Sequence, residues 1–147
     1  MPTAFRILPD ANLLITRFSG YVGCDDYRSC YSETLNDAHH SVGLDELGLV
    51  EPGTVFDVSF DTIKAVAADV AEANKGVGET FTTAVVMPES VPTWNMKLYD
   101  EAAKLTGSPE RVMIFETIAE ALACLNLSEH RDEVDQVLEE LEASIST

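Results

Sequence analysis

Residue types that carry catalytic chemistry occur in the sequence, but their spacing does not form a catalytic set. Adjacent carboxylates are common, as at Asp25-Asp26, Asp45-Glu46, Asp100-Glu101 and Glu139-Glu140. General acid catalysis needs one carboxyl group in an apolar pocket and a second, charged one nearby, and adjacency in sequence does not predict that. The G-x-S-x-G motif of serine hydrolases is absent. We therefore predict no catalytic residues and a protein that is not an enzyme.

Patterns that bind metals or nucleotides are missing as well. His39 and His40 are adjacent, so they point to different sides of a helix or loop, and no C-x-x-C pair exists among the three cysteines. Cys24 and Cys124 lie in apolar helical patterns, which favour small buried thiols. Gly76-Val77-Gly78 follows a predicted helix and precedes a strand, the reverse of a phosphate-binding loop. We expect no metal ion and no cofactor.

One aromatic segment has the composition of an apolar ligand site. Trp94, Met96 and Tyr99 begin a predicted helix after the loop Pro88–Pro92. In open α/β sheets, ligands bind beyond the carboxyl ends of the strands, where this loop is predicted to lie. Aromatic residues at helical spacing also pack in protein cores. The segment Val91–Tyr99 therefore predicts either a surface for a ligand or partner, or part of the core.

The charge of the chain excludes several classes of partner. Its 26 acidic residues against nine lysines and arginines give a net charge of −17. Such a surface repels nucleic acid and anionic membranes. The longest apolar run has five residues, Ala121–Leu125, whereas a membrane span needs about 20. We expect no nucleic-acid binding, no membrane insertion and, since the start of the sequence does not resemble a signal peptide, a cytoplasmic protein.

The elements that must position these residues alternate between strands and helices. Apolar and β-branched runs predict strands at Ala4–Leu8, Leu13–Phe18, Leu47–Val50, Phe81–Met87 and Arg111–Phe115. The first two form a hairpin around Pro9–Asn12. Val55–Val58 either extends the third strand after a kink or forms an ordered loop. This order predicts an α/β domain with a mostly parallel sheet, an N-terminal hairpin and helices packed on the sheet.

Apolar residues every three or four positions predict the helices. They run from Asp25 to about His39–Ser41, from Ser59 or Asp61 to Asn74, from Pro92 to Thr106, from Thr117 onwards, and from Ser128 to Ser144. The last helix is acidic, and Val134, Leu138, Leu141 and Ile145 form a seam of about two heptads on it. That seam packs either on the parent domain or on a second copy, as a homodimer.

Four stretches carry a likeness to a known family. They are Leu14–Gly20, Leu98–Ala103, Gly107–Pro109 and Val112–Leu125. With the element order, they resemble the SpoIIAA-like branch of the STAS superfamily, the fold of the anti-sigma factor antagonists. The likeness covers about residues 4–126. It implies a STAS-like α/β domain at 1–126, followed by an acidic helical extension at 127–147.

The resemblance also implies a switch site. In the anti-sigma factor antagonists, a serine in an Asp-Ser-Ser-Gly segment is phosphorylated at the start of a helix, and this changes partner binding. The nearest segment here is Phe56–Thr62, where Asp57 and Ser59 match that motif and Thr62 is a competing match. Val58 and Phe60 replace its small residues. Ser59 has a second interpretation, as the hydroxyl that caps the helix.

The sequence thus predicts a non-enzymatic regulatory protein that acts by binding another protein, whose identity it does not reveal. The contact surface is predicted at Asp57–Thr62 and the helix that follows. The alternative function is a small carrier of an apolar ligand or lipid near Val91–Tyr99.

Overall fold

A mixed five-stranded sheet lies at the centre of the protein, and helices cover both of its faces. The computed structural model describes residues 2–146, apart from the side chain of residue 146. The strands are β1 (Thr3–Leu8), β2 (Leu13–Phe18), β3 (Tyr21–Gly23), β4 (Asp45–Val50), β5 (Val55–Asp57), β6 (Phe81–Val86) and β7 (Glu110–Phe115). The helices are α1 (Cys24–Leu35), α2 (Phe60–Ala73), α3 (Trp94–Leu105), α4 (Ile118–Cys124) and α5 (Arg131–Ser146).

The strand order of the main sheet is β1-β2-β4-β6-β7. β1 pairs antiparallel with β2 through a short 3-10 turn at Pro9–Ala11, and the other three pairings are parallel. Parallel neighbours need crossover connections, which α1, α2 and α3 supply or help to supply. The predicted α/β class, with a mostly parallel sheet and an N-terminal hairpin, is therefore confirmed.

Side-chain alternation along the strands divides the core into two layers. Leu13, Ile15 and Leu47 point to the face covered by α4 and α5, which we call the α4–α5 face. Phe18 and Val50 point to the opposite face, which α1, α2 and α3 cover and which we call the α1–α3 face. The interior strands are thus buried on both faces, as their near-continuous apolar sequences predict.

A second, smaller sheet continues the first one. β3 follows β2 and β5 follows β4, and the two short strands pair in parallel with Tyr21 opposite Val55. The turn before β5 places Gly53 at φ +83°, a conformation that glycine adopts without strain. The segment at Val55 is therefore a strand after a kink, one of the two predicted alternatives. We call this pair the β3–β5 ribbon.

The first helix is shorter than predicted. α1 ends at Leu35, whereas the periodicity predicts an end near His39–Ser41. The side-chain amide of Asn36 donates to the carbonyl of Ser32 at 2.8 Å, and the Asn36 backbone amide bonds to the same carbonyl. Such side-chain bonds compete with helix continuation. Residues 36–44 consequently form a loop that crosses the amino end of the sheet.

The last helix lies on the sheet. Val134, Leu138 and Leu141 are buried in the same core layer as α4, so the seam of α5 packs on the parent domain. The guanidinium of Arg17 in β2 donates to the carbonyl of Leu138 at 2.9 Å. A homodimer through α5 stays a prediction, and it would have to use the side of the helix that faces away from the sheet. The predicted division at 126/127 also stays a prediction.

Candidate functional site

The β3–β5 ribbon and the starts of two helices meet at one end of the protein. β3 leads directly into α1 at Cys24, and β5 is followed by Ser59 and then α2. Because α1 and α2 both follow strands of the ribbon, their first turns lie side by side there. We call this place the ribbon end, formed by Tyr21, Cys24, Asp57, Ser59 and Thr62. Three of its residues were predicted from the sequence, namely Asp57, Ser59 and Thr62.

Ser59 is the N-cap of α2. Its backbone is extended, with φ −68° and ψ 154°, and its hydroxyl oxygen accepts the backbone N–H of Thr62 at 3.2 Å. The Ser59 hydroxyl also lies 3.1 Å from that of Thr62. Of the two predicted caps, Ser59 and Asp61, the structure therefore shows Ser59. A capping hydroxyl satisfies a backbone donor that would otherwise have no partner.

Asp57 lies on the outer side of the ribbon. The hydroxyl of Tyr21, on the neighbouring strand, donates a hydrogen bond to Asp57 Oδ2. That bond, with a smaller effect of desolvation, raises the pKa of the Tyr21 phenol. The bond joins the two strands of the ribbon side by side and leaves the Asp57 carboxylate near the cap of α2.

Cys24 is the member of this cluster that the sequence analysis missed. The backbone N–H of Ser59 donates to Cys24 Sγ at 3.4 Å, and the Ser59 hydroxyl lies 3.8 Å from the sulfur. Hydrogen bonds from Thr62 and then from Ser59 lower the pKa of the Cys24 thiol. The signal that could have found it is its position directly before Asp25-Asp26, at the first residue of a helix.

The burial of the cysteines differs from the prediction. Cys24 is half-buried and Cys124 is exposed, whereas Cys30 is buried. The prediction of a buried thiol is therefore wrong for Cys124, which lies at the end of α4, whereas Cys24, at the first residue of α1, is partly buried against the core of the α1–α3 face. Burial raises the pKa of Cys30 to about 12, so its thiol stays protonated.

Large apolar side chains are exposed beside the cap of α2. Tyr21 is 60% exposed, Val55 is 54% exposed and Phe60 is 40% exposed. Tyr21 and Val55 are paired across the ribbon, and Phe60 is the first residue of α2. The ammonium of Lys64 lies 5.3 Å from the centre of the Phe60 ring. We call Tyr21, Val55 and Phe60 the apolar patch; Asp57 and Asp61 are its acidic neighbours.

The second predicted segment is divided between core and surface. Trp94 is 40% exposed, whereas Met96 and Tyr99 are buried among the helices of the α1–α3 face. The Tyr99 hydroxyl donates to Glu110 at 2.9 Å. The structure thus does not bring these three side chains to one surface. An open groove of about 580 Å³ does lie nearby, beyond the ends of β6 and β7, and Met87, Val91 and Ile114 contribute to its lining.

Neither metal ligands nor membrane-spanning helices are found in residues 2–146. No group of three or more histidine, cysteine, aspartate or glutamate side chains there is arranged to hold a metal ion. No helix in that range combines the length and the apolar composition that crossing a bilayer requires. Comparison of the chain with models of known protein families, with curated proteins and with solved structures found no match.

Proposed function

We propose that this chain is a STAS-like regulatory protein that acts by binding another protein at the ribbon end. The observation that carries the proposal is the apolar patch, in which Tyr21 and Val55 are exposed side by side on the ribbon and Phe60 is exposed at the first residue of α2. Exposed apolar side chains that cluster, rather than lie scattered, are typical of interaction surfaces. Aromatic residues such as Tyr21 and Phe60 also dominate the binding energy of many interfaces.

The chemistry around the patch indicates what kind of protein would bind there. Asp57 and Asp61 flank the patch, and the whole chain carries a net charge of −17. A partner with an apolar centre and basic residues around it would match this surface. The proposal assigns no catalytic residues. At the ribbon end, the hydroxyl groups of Ser59 and Thr62 lie within bonding distance of each other, and the Ser59 oxygen caps α2.

Phosphorylation of Ser59 would act on this surface directly. A phosphate at Ser59 would lie at the positive end of α2, which stabilises added negative charge, while Asp57 and Asp61 would oppose it. Its oxygens could still accept the backbone N–H of Thr62, so the helix would keep its cap. The consequence would be a change of charge next to the apolar patch, without a change of fold.

Immobilised protein tests the binding surface. We expect a protein from an extract of the native host to be retained by the wild type and lost with Val55→Asp. Leu105→Asp is the matched control, because Leu105 is 78% exposed at the far end of α3. If the same proteins bind to all three forms, or if none is specific to the wild type, the ribbon end is not the contact surface.

A separate measurement tests the switch. Mass spectrometry of the protein from its host should find phosphate on Ser59 or Thr62, and Ser59→Asp should alter partner retention while Ser59→Ala does not. Absence of phosphate at both hydroxyls would remove the switch and leave the binding proposal standing. The cytoplasmic setting of this interaction stays a prediction from the sequence.

The groove beyond β6 and β7 favours the second candidate function, a carrier of an apolar ligand or lipid. Its volume of about 580 Å³ falls within the range of small-molecule sites, and Met87, Val91 and Ile114 give it apolar walls. Native mass spectrometry of the purified protein would detect the bound molecule as an increase in mass. Replacing Val91, which is buried at the groove, by Asp should then remove that mass.

A further inference from the structure

Two glutamates lie on the α1–α3 face of the sheet, Glu46 buried and Glu110 half-buried at the edge strand β7. Glu46, in the interior strand β4, is only 6% exposed. The hydroxyl of Thr16, on the neighbouring strand β2, donates to Glu46 Oε2 at 2.8 Å. The hydroxyl of Tyr31, on α1, donates to the same oxygen at 2.8 Å. Glu46 is therefore connected to both an adjacent strand and a covering helix.

Glu110, in β7, has an equivalent set of partners. The hydroxyl of Thr83, on the neighbouring strand β6, donates to Glu110 Oε2 at 2.7 Å. The hydroxyl of Tyr99, on α3, donates to Oε1 at 2.9 Å. Thr83 is also the register partner of Glu46 across β4 and β6. The two carboxyl groups are consequently neighbours, one bonded to α1 and the other to α3.

No base compensates these carboxyl groups. Within residues 2–146, neither Glu46 nor Glu110 forms an ion pair with a lysine, arginine or histidine. Arg17 is the buried base in that range, and it pairs with Glu51 at 3.0 Å. An unpaired charge in a protein interior is strongly unfavourable, so such a group keeps its proton instead.

A small cavity lies between the two carboxyl groups and the surface. Its volume of about 30 Å³ is enough to hold a water molecule. Glu46, Glu110 and Tyr31 line it, and His40 comes from the loop 36–44 that covers it. That loop is held by the backbone N–H of Gly43, which donates to the side chain of Asn74 at 2.7 Å.

We propose that Glu46 and Glu110 form a proton-operated switch, which holds α1 and α3 closely on the sheet when protonated and loosens them when the protons leave. Two neighbouring carboxylates in a cavity of this size would repel each other, and the cavity hydrates them less than bulk water does. Relief requires the cavity to widen, and the parts that can move are the loop 36–44 and the two helices attached through Tyr31 and Tyr99.

The surroundings of the two carboxyl groups determine the pH at which they lose their protons. Burial raises the pKa of Glu46 to about 7, and the nearby Glu110 adds to that effect, while the bonds from Thr16 and Tyr31 oppose it. Burial likewise raises the pKa of Glu110, with a further contribution from Asp100. The switch would therefore respond near neutral pH.

Other titratable groups face the pair from the elements packed around it. On the cavity side, α2 contributes Val70 and Asn74, which do not titrate. The groups that face the pair from the remaining elements are Tyr27, Cys30 and Tyr31 of α1, His40 of the loop, and Tyr99 and Asp100 of α3. Burial raises the pKa values of the three tyrosines and of Cys30, so these four stay neutral in this range.

Carbon-13 NMR of protein labelled at the glutamate carboxyl carbon tests the proton site directly. We expect two resonances, assigned with Glu46→Gln and Glu110→Gln, to titrate well above the other glutamates. Because the sites are coupled, Glu110→Gln should lower the Glu46 midpoint, by about one pH unit. The proposal is overturned if both resonances titrate with the exposed glutamates, or if they ignore each other.

Fluorescence of Trp94, the sole tryptophan, tests the movement, because Trp94 begins α3. Its emission should change with the same midpoint as the carboxyl resonances. The double variant Glu46→Gln, Glu110→Gln should remove the change, and Glu72→Gln, an exposed glutamate of α2, should keep it. If the Trp94 emission changes at a different pH, or does not change, the switch is contradicted even when the two carboxyl groups titrate as expected.

Measuring the titration midpoints of the two carboxyl groups in different salts distinguishes proton binding from cation binding. The midpoints should be the same in potassium chloride and in tetramethylammonium chloride, whose cation is much larger than potassium and cannot bind between two carboxylates in the same way. Markedly lower midpoints in potassium would mean that a cation, not a proton, compensates the pair, and would overturn the proposal. Circular dichroism of each variant at pH 5 establishes that it is folded.

Discussion

The two faces of the sheet are built from different chemistry. On the α4–α5 face, the buried core consists of aliphatic side chains such as Leu13, Ile15, Leu47 and Leu122. On the α1–α3 face, the apolar core surrounds buried glutamate and tyrosine groups, including Glu46 and Tyr31. One sheet thus separates a layer of aliphatic side chains from a layer that also contains carboxyl and hydroxyl groups.

Arg17 marks the border between the two kinds of layer. Its guanidinium lies at the rim of the α4–α5 face, where it donates to the carbonyl of Leu138 and pairs with Glu51. That hydrogen bond from Arg17 lowers the pKa of Glu51. The carboxylate of Glu51 is thus charged and paired, whereas the glutamates of the opposite face have hydroxyl partners alone.

The largest expected effect comes from breaking the aliphatic layer. Leu122 is 1% exposed in α4, so Leu122→Ala should lower the free energy of unfolding by about 2–5 kcal/mol. Since the side chains named in its core cluster do not titrate, the loss should be the same at pH 5 and pH 8 in urea unfolding. Leu105→Ala, at a position that is 78% exposed, is the control. A loss that depends strongly on pH would contradict the separation of the two layers.

Glu46 gives the next largest effect and the opposite pH behaviour. Its pKa is about 7 in the folded protein and 4.5 in the ordinary case, so the folded state binds the proton more tightly. The stabilisation is complete below pH 4.5, is lost as the pH rises to about 7, and stays lost above that. Relative to Glu46→Gln, the wild type should therefore lose roughly 3 kcal/mol across that window. If the free energy of unfolding of both proteins changes with pH in the same way, the two faces do not differ in their dependence on protonation.

A smaller effect is expected at the cap of α2. Ser59→Ala removes the oxygen that accepts the N–H of Thr62 and should cost about 1 kcal/mol of unfolding free energy. Thr93→Ala is a matched control, because Thr93 is the N-cap of α3 but makes no side-chain cap bond. Equal losses in the two variants, measured by urea unfolding, would argue against a capping role for Ser59.

The smallest expected effect concerns the reactivity of the three cysteine thiols in the folded protein, without a change in stability. Brief alkylation with iodoacetamide should modify Cys24 with a midpoint below that of the thiols in the unfolded chain, since Thr62 and Ser59 lower its pKa. Cys30, which is buried and has a pKa of about 12, should react much more slowly than Cys24 in the folded protein. Peptide mass spectrometry distinguishes the sites. Modification of Cys30 as early as that of Cys24 would contradict this order of reactivity.

The fold was predictable from the sequence to the extent that it depends on local patterns. Alternating apolar runs located the main strands, and the helix cap at Thr117 is present, since its hydroxyl accepts the N–H of Glu120. The strand β3 was missed because three residues carry too little periodicity, and its partner β5 lies more than 30 residues away.

The sites were less predictable, because they depend on which side chains the sheet brings together. Asp57, Ser59 and Thr62 were found through a local motif, but Cys24 joins them only through the pairing of β3 with β5. Glu46 was noticed as part of an adjacent pair with Asp45, whereas its actual partners are on other elements. Strand alternation alone would have placed Glu46 on the same face as Val50, although not beside Glu110.

The bond between Arg17 and Leu138 has a consequence for the synthesis of the chain. The two residues are 121 positions apart, and ribosomes add about 5–20 residues per second, so Arg17 waits roughly 6 to 24 s for its partner. During that time the aliphatic side of β2 has no helix over it. The nascent chain therefore presents Leu13 and Ile15 to its surroundings, which makes this hairpin the segment where a chaperone would be expected to act first.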